Sequence, residues 1–380
     1  MPGDSRLDTM HSGISSLFAS HIKLMSLIQL ISGPLTLPAL SRDAEIRPSS
    51  LYPRLRELAD DHLLFHDNDS IHLTPIGSIL ARNIENMVFS FNGSGGDATL
   101  SSGQGGAVRY PVKTAQRVIR SKPAVRMLVY LQNSNPTRKI LQQVAGSAAL
   151  FRSGLRTLWD EGLVINENGV YALTRAGDAA SVQIRSVLEI HALLSRHRDF
   201  WMGHSLGKIP DYFLNSLGHL HDAELIANTS ANAFRNFEHL SHVIGTADTI
   251  RGISAWTSPG IASAITKRVG EGASVELIVT PALLRELSRP PYSDQFAPLS
   301  GCGRFRMYVT DHPVGVGMLV TDSCISCGFY QNDGVTYDCM HTLTSMSERA
   351  VEWGRQLFRY YRTHALPVDP WALPPSFTGF

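Results

Sequence analysis

An internal repeat with an offset of 100 residues constrains the fold of this chain more than any other feature. The segment LRELADDHLLFHDNDSIHLTPIGSILA, at residues 55–81, matches LRTLWDEGLVINENGVYALTRAGDAAS, at residues 155–181. The identical positions include the pair Thr74 and Thr174. Self-similarity at a fixed offset is typical of a supersecondary unit that occurs twice.

The pattern inside the repeat predicts one helix, a β-hairpin and a second helix. Apolar residues at helical spacing open each copy. Two short apolar stretches follow, and turn residues separate them at 67–69 and at 166–169. Thr74 and Thr174 stand where an N-cap would begin the next helix. Two more helical patterns precede each copy, so the order of elements is that of a winged helix-turn-helix.

The chain has 380 residues, which suggests two or three domains. A stretch rich in Gly and Ser, NGSGGDATLSSGQGG, separates the two copies and is expected to be a flexible tether. We expect a multidomain α+β and α/β protein with these parts: a first winged helix at 12–90, a linker at 91–108, a second winged helix at 109–195, an α/β domain at 196–365 and a loosely ordered Pro-rich tail at 366–380.

The charge of the chain is concentrated in the second copy. Residues 1–82 carry seven Lys and Arg against nine Asp and Glu, whereas residues 109–185 carry twelve against four, a net charge of +8. The whole chain carries only +1. A basic segment inside a near-neutral protein is expected of a polyanion binder, although a basic face exposed to solvent without a partner would look the same.

The helix that Ser147 would cap is the candidate recognition helix. Its N-terminal part would enter the major groove, where small residues allow close approach and Arg reaches guanine or phosphate. In the second copy the candidate DNA-binding residues are Thr137, Arg138, Lys139, Ser147, Ala148, Ala149, Arg152, Ser153, Arg156, Asn166 and Asn168. In the first copy they are Ser49, Ser50, Tyr52 and Arg54. The acidic balance of the first copy predicts weak DNA binding or a role in dimer contacts.

The C-terminal half alternates short apolar stretches with helical patterns, which predicts an α/β domain with a small parallel sheet. A further strand is expected at 335–343, and a closing helix at 347–363. Ligands of open α/β sheets bind beyond the carboxyl ends of the strands. The candidate ligand-binding residues are therefore Asn228, Thr229, Ser254, Trp256, Thr280 and Arg306.

Three motifs offer other chemistry. Gly203-His204-Ser205-Leu206-Gly207 matches the G-x-S-x-G elbow of serine hydrolases, but no apolar strand precedes it. The C-x-x-C motif at 324–327 lacks a second pair at zinc spacing, which favours buried thiols. The His pairs at 219 and 221 and at 239 and 242 have no carboxylate clearly placed to complete a metal site.

From residue 200 to residue 362 the chain resembles the middle domain of the archaeal methanogenesis and filamentation regulators of the Fil type. The resemblance is carried by FW at 200–201, HSL at 204–206, IP at 209–210, ELIANT at 224–229, IRGIS at 250–254, VELIVT at 275–280, EWG at 352–354 and YYR at 360–362. It implies a transcription regulator whose C-terminal half senses a ligand. The N-terminal winged helix departs from the usual family plan.

The sheet pattern also resembles the phospholipase-D-type fold of archaeal sugar-sensing regulators. The catalytic H-x-K-x-x-x-x-D of that fold is missing, because the sequence after His312 reads PVGVGMLVTD. Phosphodiesterase activity is therefore not expected.

These observations predict a cytoplasmic regulator that is not an enzyme and that binds double-stranded DNA as a homodimer. We expect a small-molecule effector of unknown identity, no cofactor, no metal and no membrane. Two alternatives stay open: a serine hydrolase that uses Ser205, and a protein-interaction scaffold without DNA binding.

Overall fold

The computed structural model describes residues 5–91 and 112–369. The chain divides into two compact units, and the division falls between Arg198 and Asp199. The predicted linker lies outside the described residues except for Phe91, and so does the predicted tail from residue 370 onward.

The first unit contains both copies of the repeat. The first copy and the helix before it consist of α1 (Ser5–Phe18), α2 (His21–Gln29), β1 (Leu35–Thr36), α3 (Leu37–Asp43), α4 (Pro48–Asp60), β2 (Leu64–Asp67), β3 (Ser70–Leu73) and α5 (Pro75–Ser90). The second copy and the helix before it consist of α6 (Val112–Arg120), α7 (Lys122–Leu131), α8 (Arg138–Ala145), α9 (Ala148–Asp160), β4 (Val164–Glu167), β5 (Val170–Leu173) and α10 (Arg175–Arg196). The predicted order of helices and hairpin is thus present in both copies.

The two copies repeat the same hydrogen bonds at the junction between hairpin and helix. The Thr74 hydroxyl accepts from Gly77 N at 3.0 Å and donates to His62 O at 2.7 Å. In the second copy Thr174 makes the same pair of bonds, at 3.0 Å from Gly177 N and 2.8 Å from Gly162 O. Both threonines are the N-caps that the sequence predicts.

The third residue after each capping threonine is a glycine, because the carbonyl group of a leucine before the hairpin lies very close to it. A Cβ atom at Gly77 would lie 1.8 Å from Leu63 O, and one at Gly177 would lie 1.9 Å from Leu163 O. No other side chain fits at such a distance, so glycine is required at this position of both copies.

The hairpin turns also match. Asn68 and Asn168 have φ angles of 53° and 54°, in the left-handed region that asparagine tolerates better than most residues. Leu64 and Val164 point inward, while the turn residues are exposed. The repeat in the sequence therefore corresponds to a repeat in backbone geometry.

Within the first unit the copies pack together through their last helices, since α10 contacts both α5 and α1. Buried leucine, isoleucine and valine side chains line these helices. The Arg126 guanidinium pairs with the Asp8 carboxylate, and this hydrogen bond holds the pKa of Asp8 below its usual value. Arg126 also reaches Ala145 O at the end of α8, at 3.5 Å.

The second unit is built around a mixed sheet flanked by helices. Its elements begin with the short α11 (Arg198–Met202), which starts at the last residue of the first unit. They continue with β6 (His204–Ser205), α12 (Asp211–Asn215), β7 (Glu224–Ala227), α13 (Arg235–Thr246), β8 (Thr249–Ser254), α14 (Pro259–Gly270), β9 (Ser274–Val279), α15 (Pro281–Leu287), α16 (Tyr292–Phe296), β10 (Phe305–Val309), β11 (Val316–Thr321), β12 (Ile325–Gln331), β13 (His341–Ser345), α17 (Glu348–Thr363) and β14 (Leu366–Val368).

The sheet order is β14-β10-β9-β8-β11-β12-β13-β7, and β6 pairs with β12. In this sheet the pairs β8–β9 and β9–β10 are parallel, and the other pairs are antiparallel. The expected small parallel sheet is thus one part of a nine-stranded mixed sheet. Since β11, β12 and β13 lie between β7 and β8, the end of β7 is remote from the end of β8.

Two sequence predictions in this unit are wrong in detail. The strand expected at 335–343 begins only at His341, because residues 332–340 form turns that side chains such as Asp333 stabilise. The start of the tail, expected to be loosely ordered, is strand β14, which pairs with β10 through the register Val309 to Leu366. An edge position is where a strand containing Pro367 can be accommodated.

In the described part of the chain, no single helix has both the length and the apolar character to cross a membrane. One helix pair with an 85° bend, Ser5–Phe18 and His21–Ser32, meets both criteria by length and composition alone. Several side chains of this pair, such as Ile14 and Leu24, are fully buried in the first unit.

Candidate functional site

The candidate recognition helix α9 is fixed by its cap and by one close contact. The Ser147 hydroxyl accepts from Leu150 N at 3.2 Å, and Gly146 ends the preceding helix with a left-handed φ of 97°. Gly154 faces α7 so closely that a Cβ atom there would lie 2.9 Å from Ala124 N. This contact determines which face of α9 is buried and which is presented to solvent.

The exposed face of α9 carries the residues that the sequence singles out. Phe151, Leu155 and Leu158 are buried on the opposite face. The exposed residues are Ala148, Ala149, Arg152, Ser153 and Arg156, and the cap Ser147 is exposed as well. The first turn thus presents the small Ala148 and Ala149 beside Leu150, which is 44% exposed, and two arginines follow it.

The start of α8 contacts α9. Thr137, Arg138 and Lys139 are all exposed there. The Arg138 guanidinium lies over the Phe151 ring at 5.7 Å from its centroid, which ties the start of α8 to α9. Thr137 forms an isolated bridge with Val170, so the hairpin is joined to the same region.

The hairpin supplies exposed amides. Asn166 accepts from Gly169 N at 3.0 Å, which shapes the turn, and Asn168 occupies its left-handed position. Both side chains are exposed at the tip. Arg156 approaches Asp160 at 3.8 Å, but such an exposed pair is weak and leaves the guanidinium available.

The matching surface of the first copy has different chemistry. Ser49, Ser50, Tyr52 and Arg54 are all exposed on α4. However, Arg54 is paired with Glu57, whose carboxylate also contacts Lys23 Nζ at 2.8 Å. Tyr52, which is 60% exposed, occupies the repeat position of Arg152. This surface has less uncompensated positive charge than that of the second copy.

Of the six candidate ligand-binding residues, the structure brings two together. Ser254 and Trp256 line one cavity of about 100 Å³ beyond the end of β8. Their positions are linked, because the Ser254 hydroxyl bonds to Trp256 O at 2.5 Å and accepts from Trp256 N at 3.2 Å.

The other four candidates lie elsewhere. Asn228 and Thr229 follow β7 at the far edge of the sheet, where Asn228 Oδ1 accepts from Asn236 N at 2.8 Å. Thr280 follows β9 and caps α15 through Leu283 N at 3.2 Å. Arg306 is the second residue of β10 and pairs in register with Glu276, so it lies toward the opposite end of the parallel strands.

The cavity lies between the sheet and helices α13 and α14. Three glycines of adjacent strands, Gly252, Gly317 and Gly328, form its floor, and the last two are direct partners in the sheet register. Apolar side chains such as Ile261 and Ile265 form the opposite wall. The floor is open because glycines leave the sheet surface bare at these positions.

Tyr337, a cavity residue absent from the sequence predictions, covers this floor. A Cβ atom at Gly317 or Gly328 would lie only 2.2 or 2.1 Å from the Tyr337 hydroxyl. The Tyr337 ring packs beside Trp256 at 5.7 Å between centroids, and burial raises the pKa of its hydroxyl. Gly317 and Gly328 are the signal in the sequence for such a residue, because a glycine inside a strand pattern often marks a site that another group approaches closely.

Ser205 lacks the geometry of a hydrolase nucleophile. It lies in strand β6, paired with Tyr330, rather than at a turn from a strand into a helix. Its neighbour His204 is buried, and Nε2 of His204 lies 3.0 Å from the Asp338 carboxylate. The same carboxylate contacts His341 Nδ1 at 2.7 Å. His204 thus holds the segment that carries Tyr337.

The remaining motifs give no metal cluster. Cys324 and Cys327 are both buried thiols, and burial raises the pKa of Cys327. His239 Nε2 lies 3.1 Å from the Thr344 hydroxyl. Across residues 5–91 and 112–369 no group of three or more His, Cys, Asp or Glu residues could hold a metal ion.

Comparison with solved structures gives only weak likenesses. TrmBL2, described as an archaeal chromatin protein with a novel mode of DNA binding, is 15% identical, covers 65% of this chain and 94% of its own, and has a TM-score of 0.31. Nuc from Salmonella typhimurium, a phospholipase D family member, is 12% identical, covers 38% of this chain and 97% of its own, and has a TM-score of 0.30. Scores this low assign no fold.

Comparison of sequences is more informative. Residues 233–364 match the family model described as the middle domain of the methanogenesis regulatory protein FilR1. The methanogenesis regulatory protein FilR1 of Methanothrix harundinacea (strain 6Ac) is 25% identical over 264 residues, which are 68% of this chain and 58% of that relative. The match therefore spans less than two thirds of the relative's length. The resemblance to Fil-type regulators predicted from the sequence is confirmed over residues 233–364, which match the middle-domain model.

Proposed function

We propose that this protein is a transcription regulator that binds double-stranded DNA mainly through its second repeat copy. In this proposal both copies are winged helix-turn-helix domains and α9 is the recognition helix. The observation that carries the proposal is the exposed face of α9, where Arg152 and Arg156 follow the small residues Ala148 and Ala149. The net charge of +8 around it and the regulatory role named for the FilR1 relative support the same function.

The contacts divide into two kinds in this proposal. Arg138 and Lys139, at the free N–H groups of α8, bind phosphates and orient the domain. Arg152 reads a base edge from the major groove, and the Asn166 and Asn168 side chains contact the adjacent backbone. A homodimer would present two such surfaces to symmetric half-sites.

The C-terminal unit acts as the sensor. A ligand that binds beside Ser254 and Trp256 would favour one conformation of the dimer, and DNA affinity would change with it. The predicted order of domains, a cytoplasmic location and a mechanism without cofactor or catalysis are parts of this proposal, with the α/β domain extended through β14.

Fluorescence anisotropy of the full chain tests the proposal. The DNA would be labelled fragments from upstream of its own coding region, with random DNA as the control, at two salt concentrations. We expect specific binding that weakens steeply with salt, because phosphate contacts release counterions. Equal affinity for all fragments, together with no preferred site in a genome-wide selection, would contradict it and favour a protein-interaction role. Covalent labelling of Ser205 by a fluorophosphonate would instead favour a hydrolase.

A further inference from the structure

We infer that the cavity over the glycine floor is a binding site for a small, uncharged and mainly apolar molecule, and that Tyr337 is a movable plug in that site. This inference rests on the proposed ligand response and specifies which ligand class that response recognises. It concerns the space bounded by Gly252, Gly317, Gly328 and Trp256.

The lining determines the class of ligand. Every residue around the cavity is uncharged, and the largest group consists of aliphatic side chains of α13, α14, α15 and the strands. The polar side chains at its wall are hydroxyl-bearing ones, such as Ser254, Thr257 and Ser326, and the indole of Trp256. A charged ligand would lose its hydration here without gaining a counter-charge, which is costly. An apolar molecule with one or two hydroxyl or carbonyl groups fits this lining.

The glycines of the floor leave room above the sheet, and the Tyr337 hydroxyl lies in that room. Any larger residue at Gly317 or Gly328 would displace the Tyr337 hydroxyl, which lies directly above both. At present the tyrosine ring occupies the position that a ligand ring would take, beside Trp256. A ligand reaches the floor only when this ring leaves it.

Hydrogen bonds fix the segment that carries Tyr337 on both sides of this residue. On one side Asp333 Oδ1 accepts from Val335 N and Thr336 N, each at 2.8 Å. On the other side Asp338 is held by His204 and His341. The tyrosine therefore lies between two anchored turns, and rotation of its side chain can open the floor without unfolding the segment.

The test uses a pair of fluorescent probes that differ in charge. N-phenyl-1-naphthylamine is neutral, and 8-anilinonaphthalene-1-sulfonate is the same molecule with a sulfonate. We expect saturable binding of the neutral probe to the full chain in the absence of DNA, and weaker binding of the sulfonate. Equal or tighter binding of the sulfonate would overturn the ligand class.

Substitutions locate the probe. If the site is open in about 10% or less of the molecules, its apparent affinity for the neutral probe is about tenfold or more below that of the open site. Tyr337→Ala removes the plug, so it should tighten binding of the neutral probe by that factor. Tyr337→Phe retains the ring and should change affinity little. The matched control is Tyr212→Ala, because Tyr212 is a tyrosine of the same unit that is 66% exposed. Equal effects of Tyr337→Ala and Tyr212→Ala would overturn the plug.

A blocking substitution completes the test. Gly252→Leu would fill the floor, since even a Cβ atom added at this position would lie 2.8 Å from the flexible end of the Leu277 side chain. It should abolish binding of the neutral probe, whereas Gly245→Leu, at an exposed position with no atom within 4 Å, should not. Circular dichroism would establish that each variant is folded. Probe binding that survives Gly252→Leu in a folded variant would place the probe elsewhere and overturn the site.

The probe measurements need no DNA, so they can succeed even if the protein does not bind DNA. A change of DNA affinity on adding the neutral probe to wild type, absent in Gly252→Leu, would connect the cavity to regulation. If the probe binds as expected while DNA affinity is absent altogether, the proposed function fails and the site stands.

Discussion

The two copies of the repeat share a backbone and differ in the surface that it presents. Thr74 and Thr174 cap the same helix with the same bonds, and a buried glycine follows each at an almost identical distance from a leucine carbonyl. On the outer face, Tyr52 stands where the second copy has Arg152. The comparison separates what the fold requires from what a binding surface requires.

The difference is also electrostatic. Arg54 of the first copy is neutralised by Glu57, whereas Arg156 of the second is held only by a long contact to Asp160. The arginine of the first copy is therefore more fully compensated than that of the second.

The shared geometry predicts equal sensitivity at the buried glycines. Gly77→Ala and Gly177→Ala should each lower the free energy of unfolding by about 3 kcal/mol or more, because the added methyl collides with backbone. Denaturant unfolding followed by circular dichroism measures both. Asp178→Ala, at the exposed neighbouring position, is the control and should cost less than about 1 kcal/mol. A large effect in one copy alone would break the structural equivalence.

The contrast in surface chemistry predicts unequal effects on specificity. Arg152→Ala should reduce discrimination between the preferred and random DNA by about 1–3 kcal/mol, because a base contact is lost. Tyr52→Ala at the equivalent position should leave discrimination unchanged. Competition anisotropy measures the ratio. If Arg152→Ala preserves both affinity and specificity, α9 is not the recognition helix.

A third prediction concerns an ion pair that joins α1 to α7 of the second copy. Asp8 holds Arg126, which reaches the end of α8 just before the turn into α9. The position of Arg126 in the first copy is taken by Ser26. Asp8→Asn should lower the free energy of unfolding by about 1 kcal/mol at neutral pH.

The effect of Asp8→Asn depends on pH in a defined direction. The hydrogen bond from Arg126 lowers the pKa of Asp8 in the folded state below the usual 3.8. The stabilisation is therefore present above that usual value and disappears as the pH falls through the lowered pKa. Unfolding midpoints of wild type and variant should converge in acid. A difference that stays constant with pH would exclude the ion pair as its cause.

The smallest expected effect is at Lys139. Lys139→Ala should weaken binding to preferred and random DNA alike and reduce the slope of log affinity against log salt by about one. Titrations at several salt concentrations measure that slope. A loss confined to the preferred DNA would mean that Lys139 reads sequence rather than phosphate.

The sequence predicts the first unit well because local signals and packing agree there. Ser147, Thr74 and Thr174 are caps as their positions indicate, and the turns at Asn68 and Asn168 are where the polar residues lie. These features depend on neighbouring residues alone. The repeat adds a second reading of the threonine caps and of the asparagine turns.

The second unit is harder because its sheet is assembled from distant segments. Periodicity identifies β7 and β8 but does not show that three antiparallel strands separate them in the sheet. The sequence therefore places Asn228 and Ser254 in one candidate ligand site, although they are not neighbours in the structure. Strand direction relative to neighbours likewise decides that Arg306 lies away from Thr280. Tyr337 enters the cavity from a turn segment, and turns carry no periodic signal of where a side chain points.

One arginine in each copy allows a direct test of the claim that the second copy binds DNA. Arg56 and Arg156 occupy the same repeat position, and both are exposed. DNA affinity of Arg56→Ala and Arg156→Ala would be measured by anisotropy on the same fragment at the same salt. We predict that Arg156→Ala weakens binding by about 1 kcal/mol or more and that Arg56→Ala has little effect. Equal losses, or a larger loss for Arg56→Ala, would contradict the assignment of DNA binding to the second copy.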